Sequence, residues 1–114
     1  MFREMRRKKQ QLEESECVEI LKNEKRGVLS VIGDDGYPYG IPMDHYYNEA
    51  NGKIYFHCAL EGHKMDAVKA CDKVSYCVFD EGYRNEGEWA LNIKSVIVFG
   101  RIRVLDDHEQ GLRM

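Results

Sequence analysis

The residues with the most chemical reach in this chain fall in one run, from Ile54 to Lys64. Ile54 and Phe56 alternate with Tyr55 and His57, the period of a half-buried strand. The run then passes through Ala59 and Gly62 to His63 and Lys64, where Met65 and Val68 open a short amphipathic helix. Glycine at the turn permits backbone angles closed to other residues. A helix start carries unpaired N–H groups and partial positive charge, and Lys64 adds a full charge. Such a place favours a phosphate or a carboxylate. An ordinary strand-to-helix turn with a solvent-facing lysine has the same pattern, so this segment alone leaves both readings open.

Other reactive side chains are more scattered. His45 and His57 are expected on neighbouring strands and have the chemistry for proton transfer. A histidine in a strand also commonly serves as a structural hydrogen-bonder. Tyr37, Tyr39, Tyr46 and Tyr47 suit stacking on a planar ligand, and equally suit a strand. Cys17, Cys58, Cys71 and Cys77 show no C-x-x-C spacing and read as reduced thiols. With His45, His57, His63 and His108 they offer metal-ligand types but no zinc-finger spacing, and no metal site is expected. The chain contains no G-x-G-x-x-G, Walker loop or G-x-S-x-G elbow.

These residues must be held by a small number of elements. Glu13 to Asn23 has helical spacing, with Cys17, Ile20 and Leu21 on one face. Val28 to Ile32 is a compact strand closed by the turn Gly33-Asp34-Asp35-Gly36. Tyr37 to Tyr47 is extended but interrupted by Pro38 and Pro42. Proline donates no ladder hydrogen bond, so these positions belong at an edge, at a bulge, or where something other than a strand packs alongside. Asn48 to Gly52 is a second hairpin turn, followed by a strand from Lys53 to Ala59 and a helix over 63–71. Lys73 to Asp80 alternates again. After a polar loop, Asn92 to Leu105 forms the longest apolar strand, with Gly100 marking a bulge or bend. Five strands with one inserted helix predict a small antiparallel barrel.

At 114 residues the chain is a single domain, with 43% hydrophobic and 32% charged residues, an ordinary soluble composition. Its net charge of −3 does not suit a nucleic-acid binder, and Arg6 to Lys9 is offset at once by Glu13, Glu14 and Glu16. No apolar run approaches the roughly 20 residues of a membrane span, and the N-terminus lacks a signal-peptide core. A cytoplasmic protein with no membrane or nucleic-acid partner is expected.

Taken in order, several segments form a more specific pattern. They are Met5 to Lys8, the helix ending in Ile20-Leu21, Gly27 to Ser30, Gly36 to Met43, Ile54 to Ala59, Gly62 to Lys64, and Lys94 to Gly100. The series resembles the pyridoxamine 5′-phosphate oxidase-related flavoproteins, and within them the nitroimidazole-resistance branch, from about Met5 to Gln110. The most specific piece is His-x-Ala-x-x-Gly-x-Lys, matched by His57, Ala59, Gly62 and Lys64. The second is Pro-Tyr-x-x-Pro, matched by Pro38, Tyr39 and Pro42.

That resemblance implies a mainly β fold, an antiparallel split β-barrel of the FMN-binding type. It would form a homodimer holding FMN in a groove between subunits. Residues 1–26 would be an arm and helix, 27–105 the barrel strands, and 106–114 a truncated-looking end. Relatives continue with a helix and a further strand, so the barrel is expected to be incomplete or differently closed. Lys64 would contact the FMN phosphate, helped by backbone near Gly62 and His63, with Ser95 also in reach. Tyr39, Gly40, Ile41, Pro42 and Met43 would run beside the isoalloxazine ring. His57 would face the flavin and contact or protonate substrate, with Ala59 nearby. The implied activity is FMN-dependent reduction of a small planar or nitroaromatic compound by a nicotinamide donor. A flavin- or haem-binding protein without turnover, used for storage, sensing or haem handling, is the alternative.

Overall fold

A computed structural model describes residues 14–56, 62–87, 89, 91–104 and 112–113. Helix α1 spans Glu14–Asn23, strand β1 Arg26–Ile32, β2 Pro38–Asn48 and β3 Lys53–Phe56. Helix α2 spans His63–Ala70, followed by β4 (Lys73–Phe79), β5 (Ser95–Arg101), β6 (Arg103–Val104) and β7 (Leu112–Arg113). The strands pair antiparallel throughout, in the order β5-β4-β1-β2-β3-β7-β6.

That order dictates the curvature. β5 and β6 lie at opposite ends of the sheet, yet only Ile102 separates them in the chain. The sheet must therefore curl until its two ends meet, which makes a barrel. The split lies along β2, whose first half pairs with β1 while its last four residues pair with β3. The fold is an antiparallel split β-barrel.

Alternation sets the two faces. In β1 and β4, Leu29, Val31, Val74, Tyr76 and Val78 point inward and are buried. Ile54, Phe56 and Met43 join them, with Ile20 and Leu21 from α1 and Met65 and Val68 from α2. Helix α1 lies against β2, β4 and β5, and α2 against β1. Gly27 is needed for a close approach: a Cβ there would stand 2.5 Å from the Cys77 carbonyl oxygen and 2.8 Å from the Tyr76 ring.

Both expected helices and the first four strands are present. The single strand expected from Asn92 to Leu105 is divided, and the break falls at Ile102 rather than Gly100. Ile102 turns its side chain into the core, and its N–H donates to the Asp72 carbonyl at 2.9 Å. Gly100 itself stays in the ladder opposite Val74. A short strand also forms in the C-terminal segment, where β7 inserts between β3 and β6.

Candidate functional site

The two prolines locate the candidate site. His45 N–H donates to Lys25 O at 2.9 Å and Gly33 N–H to Tyr37 O at 2.7 Å. Both pairs continue the β1–β2 register that matches Tyr39 with Val31, Ile41 with Leu29 and Met43 with Gly27. Hydrogen-bonded and non-hydrogen-bonded pairs alternate in an antiparallel ladder. The odd-numbered residues of β2 therefore commit their backbone groups to β1. Pro38, Gly40 and Pro42 turn theirs the other way. Among the described residues no strand lies on that side until His45 meets Phe56. The prolines thus cost the β1 ladder nothing, and from Pro38 to Pro42 the open edge presents carbonyls and the one N–H of Gly40.

The start of α2 is fastened beside this edge. The rings of His63 and Tyr39 stack with centroids 4.4 Å apart and planes inclined by 15°. His63 Nε2 also lies 3.8 Å from an Asp34 carboxylate oxygen, in the turn before β2. Gly62 precedes the helix at φ 115° and ψ 179°, a region that side-chain-bearing residues rarely enter. No side chain caps the helix among the described residues, and the first intrahelical bond is Asp66 N–H to Gly62 O at 3.0 Å. The N–H groups of His63, Lys64 and Met65 have no intrahelical acceptor. Lys64 is half-buried, and no described carboxylate pairs with it.

The structure therefore brings Tyr39, Gly40, Gly62, His63 and Lys64 together, with Ile41 and Pro42 continuing along the same strand. Met43 is different: its side chain is in the core and its backbone is committed to β1. Ser95 opens β5 opposite Phe79, at the far end of the sheet, where neighbouring Lys94 meets Glu16 of α1 at 3.3 Å. Within one chain it does not join Lys64. His57 and Ala59 lie outside the described residues.

His45 has a different surrounding from His63. Its Nε2 donates to the Leu21 carbonyl at 2.9 Å, and its Nδ1 is 2.6 Å from the Tyr76 hydroxyl. The hydroxyl also lies 3.2 Å from the Met43 carbonyl oxygen. Burial, reinforced by the charge of Asp44, pushes the Tyr76 phenol well above its ordinary range. This network joins α1, β2 and β4 and leaves no imidazole nitrogen for a ligand. Sequence periodicity carries no signal for it, because its partners are 24 and 31 residues from His45. Among the described residues no group of three His, Cys, Asp or Glu is placed to hold a metal, and no helix is long and apolar enough to cross a membrane.

A split barrel whose proline-marked edge runs beside an uncapped, lysine-bearing helix start is thus the class of molecule. The chain belongs to the pyridoxamine 5′-phosphate oxidase family, whose model matches residues 13–114. Among solved structures it is similar to an FAD-binding protein from Mesorhizobium loti, with 30% identity over 84% of this chain and a TM-score of 0.69. It shares its fold with a conserved hypothetical protein from Mycobacterium tuberculosis (19% identity, 86% of this chain, TM-score 0.70). A candidate 5-nitroimidazole antibiotic resistance protein from Bacteroides thetaiotaomicron also shares it (17% identity, 83% of this chain, TM-score 0.70). The chain spans 62%, 57% and 57% of those three proteins respectively. No curated protein matches it.

Proposed function

We propose that the chain binds FMN between two copies of itself and acts in the cytoplasm as an FMN-dependent oxidoreductase. In this reading a nicotinamide donor supplies the electrons and a small planar or nitroaromatic compound receives them. The observation that carries it is the open edge of β2 fastened to the start of α2. An elongated ligand with an anionic end and a flat, polar-edged end matches that surface. Lys64 and the free N–H groups of the first turn would hold the phosphate by charge-assisted hydrogen bonds. The outward groups of Gly40 and Pro42 would face the polar edge of the ring, with Tyr39 and His63 as a wall between the two ends.

When bound, the flavin supplies the hydride chemistry, while the protein supplies position, shielding and protons. His57 is the residue we assign to substrate contact or protonation, with Ala59 beside it. Ser95 is too far along the sheet to share a phosphate with Lys64 of its own chain, so a second copy would deliver it. A dimer is also favoured by the outer sheet face, where Phe79, Ile97 and Phe99 are each more than half exposed.

An absorbance spectrum of the purified protein tests the proposal. A flavin spectrum that bleaches with NADH or NADPH supports it. A colourless protein that stays so after FMN addition overturns it. A flavin that neither nucleotide reduces would mark a binding protein without turnover, and a Soret band on haem titration would mark a haem protein.

A further inference from the structure

The described residues between β4 and β5 include the paired base of a hairpin. Asp80 N–H donates to Lys94 O at 3.0 Å, Lys94 N–H returns to Asp80 Oδ1 at 3.0 Å, and Tyr83 and Asn92 exchange bonds of 2.9 and 2.6 Å. Such a base ties the two sides of the hairpin together, yet its apolar side chains remain largely open to solvent. Trp89, the only tryptophan of the chain, is 96% exposed, and Tyr83, Leu91 and Ile93 are exposed with it. They continue the apolar row of Phe79, Ile97 and Phe99 along the same two strands. An apolar stripe of this length marks a contact surface.

At the other end of those strands lies a cleft of about 640 Å³ between Ile32, Pro38 and Phe99, with Ser30 and Ser75 on its floor. Its rim holds Lys73 and Arg101, which stand directly opposite each other in the β4–β5 ladder. Like charges so placed are unfavourable, and Asp72, 3.5 Å from Arg101, offsets only one of them. The hairpin is acidic there, with Glu81 and Glu86 against Arg84. The two ends of one outer face thus carry apolar surface and opposite charge. Two copies packed face to face, with strands running in opposite directions, bring each hairpin over the other's cleft.

We propose that this hairpin is an arm, and that Trp89 of each copy seats in the Ile32–Pro38–Phe99 cleft of a second copy of this chain. A large aromatic entering an apolar pocket is the usual anchor of such contacts. The carboxylates of the arm then lie against Lys73 and Arg101. The same packing carries Ser95 of one copy towards the Tyr39–Lys64 end of the other. The inference rests on the dimeric reading above and adds to it the residues that join the copies.

Complementation of two variants, read by light scattering and tryptophan fluorescence, tests it. In the dimer the single tryptophan is expected to be shielded from acrylamide and to become accessible on dilution to monomer. Trp89→Ala and Ile32→Ser, both at exposed positions, should each raise the dimer dissociation constant on the order of tenfold or more. Mixed together, they should form heterodimers, because one intact arm then meets one intact cleft. A dimer whose Trp89 stays fully quenchable, or a mixture that recovers nothing, overturns the arm while leaving the dimer standing. Shielding by FMN alone, without a change of assembly, would assign the cleft to the ligand and overturn the arm as well. A flavin-loaded monomer would remove the dimeric reading itself.

Discussion

His45 lies within β2 and His63 stacks on Tyr39 towards the strand's other end, and the molecule treats the two oppositely. His45 has each ring nitrogen occupied, by the Leu21 carbonyl and the Tyr76 hydroxyl, and lies inside the contact between α1 and the barrel. His63 keeps its ring on the surface, stacked on Tyr39 beside a free helix start. The first imidazole is a strut, and the second is an exposed ring held by Tyr39 and near Asp34. The difference follows from what surrounds each ring. The buried Tyr76 hydroxyl must find its partners inside the fold, and His45 is one of them, whereas the ring of His63 faces solvent.

This contrast can be broken most forcefully at the strut end. Gly27→Ala places a methyl group against the Cys77 carbonyl and Tyr76, and should cost about 3 kcal/mol in a denaturant titration. A loss of a few tenths would mean that β1 and β4 are free to move apart. His45→Ala removes the side-chain partner of the Leu21 carbonyl and leaves the Tyr76 hydroxyl with the Met43 carbonyl alone. The expected loss is about 2 kcal/mol, with flavin affinity unchanged in the folded fraction. If affinity fell instead, the assignment of the two histidines would be reversed.

At the ligand end the readout changes. Lys64→Ala should weaken FMN binding on the order of tenfold, through loss of a charge-assisted phosphate contact, at little cost to stability. Equal affinity in a fluorescence titration would remove Lys64 from the site. Tyr76→Phe should cost about 1 kcal/mol and should also alter the alkaline limb of stability. A phenol whose pKa is raised by folding contributes stability that is fully present below its unfolded value of about 10 and lost as pH rises beyond it. The wild type should therefore weaken above about pH 10 more steeply than the variant. Parallel curves would show that this phenol does not govern the limb. The smallest effect belongs to His63→Ala, within about 0.5 kcal/mol in stability. If it destabilises the fold as much as His45→Ala, the surface ring is a strut too.

Much of the fold was legible because period and punctuation are local. The spacing of Ile20 and Leu21 gave α1, alternation gave β1 and β4, and Gly33 to Gly36 and Asn48 to Gly52 gave the turns. The division at Ile102 was not legible: it depends on where the Ile102 amide, just past β5, meets Asp72, a contact across 30 positions. The prolines of β2 were readable as an edge signal, but not which face of the strand they left open. That required the pairing phase with β1, which only a partner strand can set.

The sequence by itself determined the kinds of element, their order, and a helix start carrying Lys64 after a glycine. Those depend on side-chain period and on backbone preferences that act over a few residues. Tertiary structure decided that the helix start stacks through His63 on Tyr39, and that Ser95 stands at the far end of the sheet. It also decided that His45 is tied by both ring nitrogens to α1 and β4. Each of these is a contact between segments distant in the chain. Its existence depends on strand pairing and helix packing between those segments, and no local pattern encodes them.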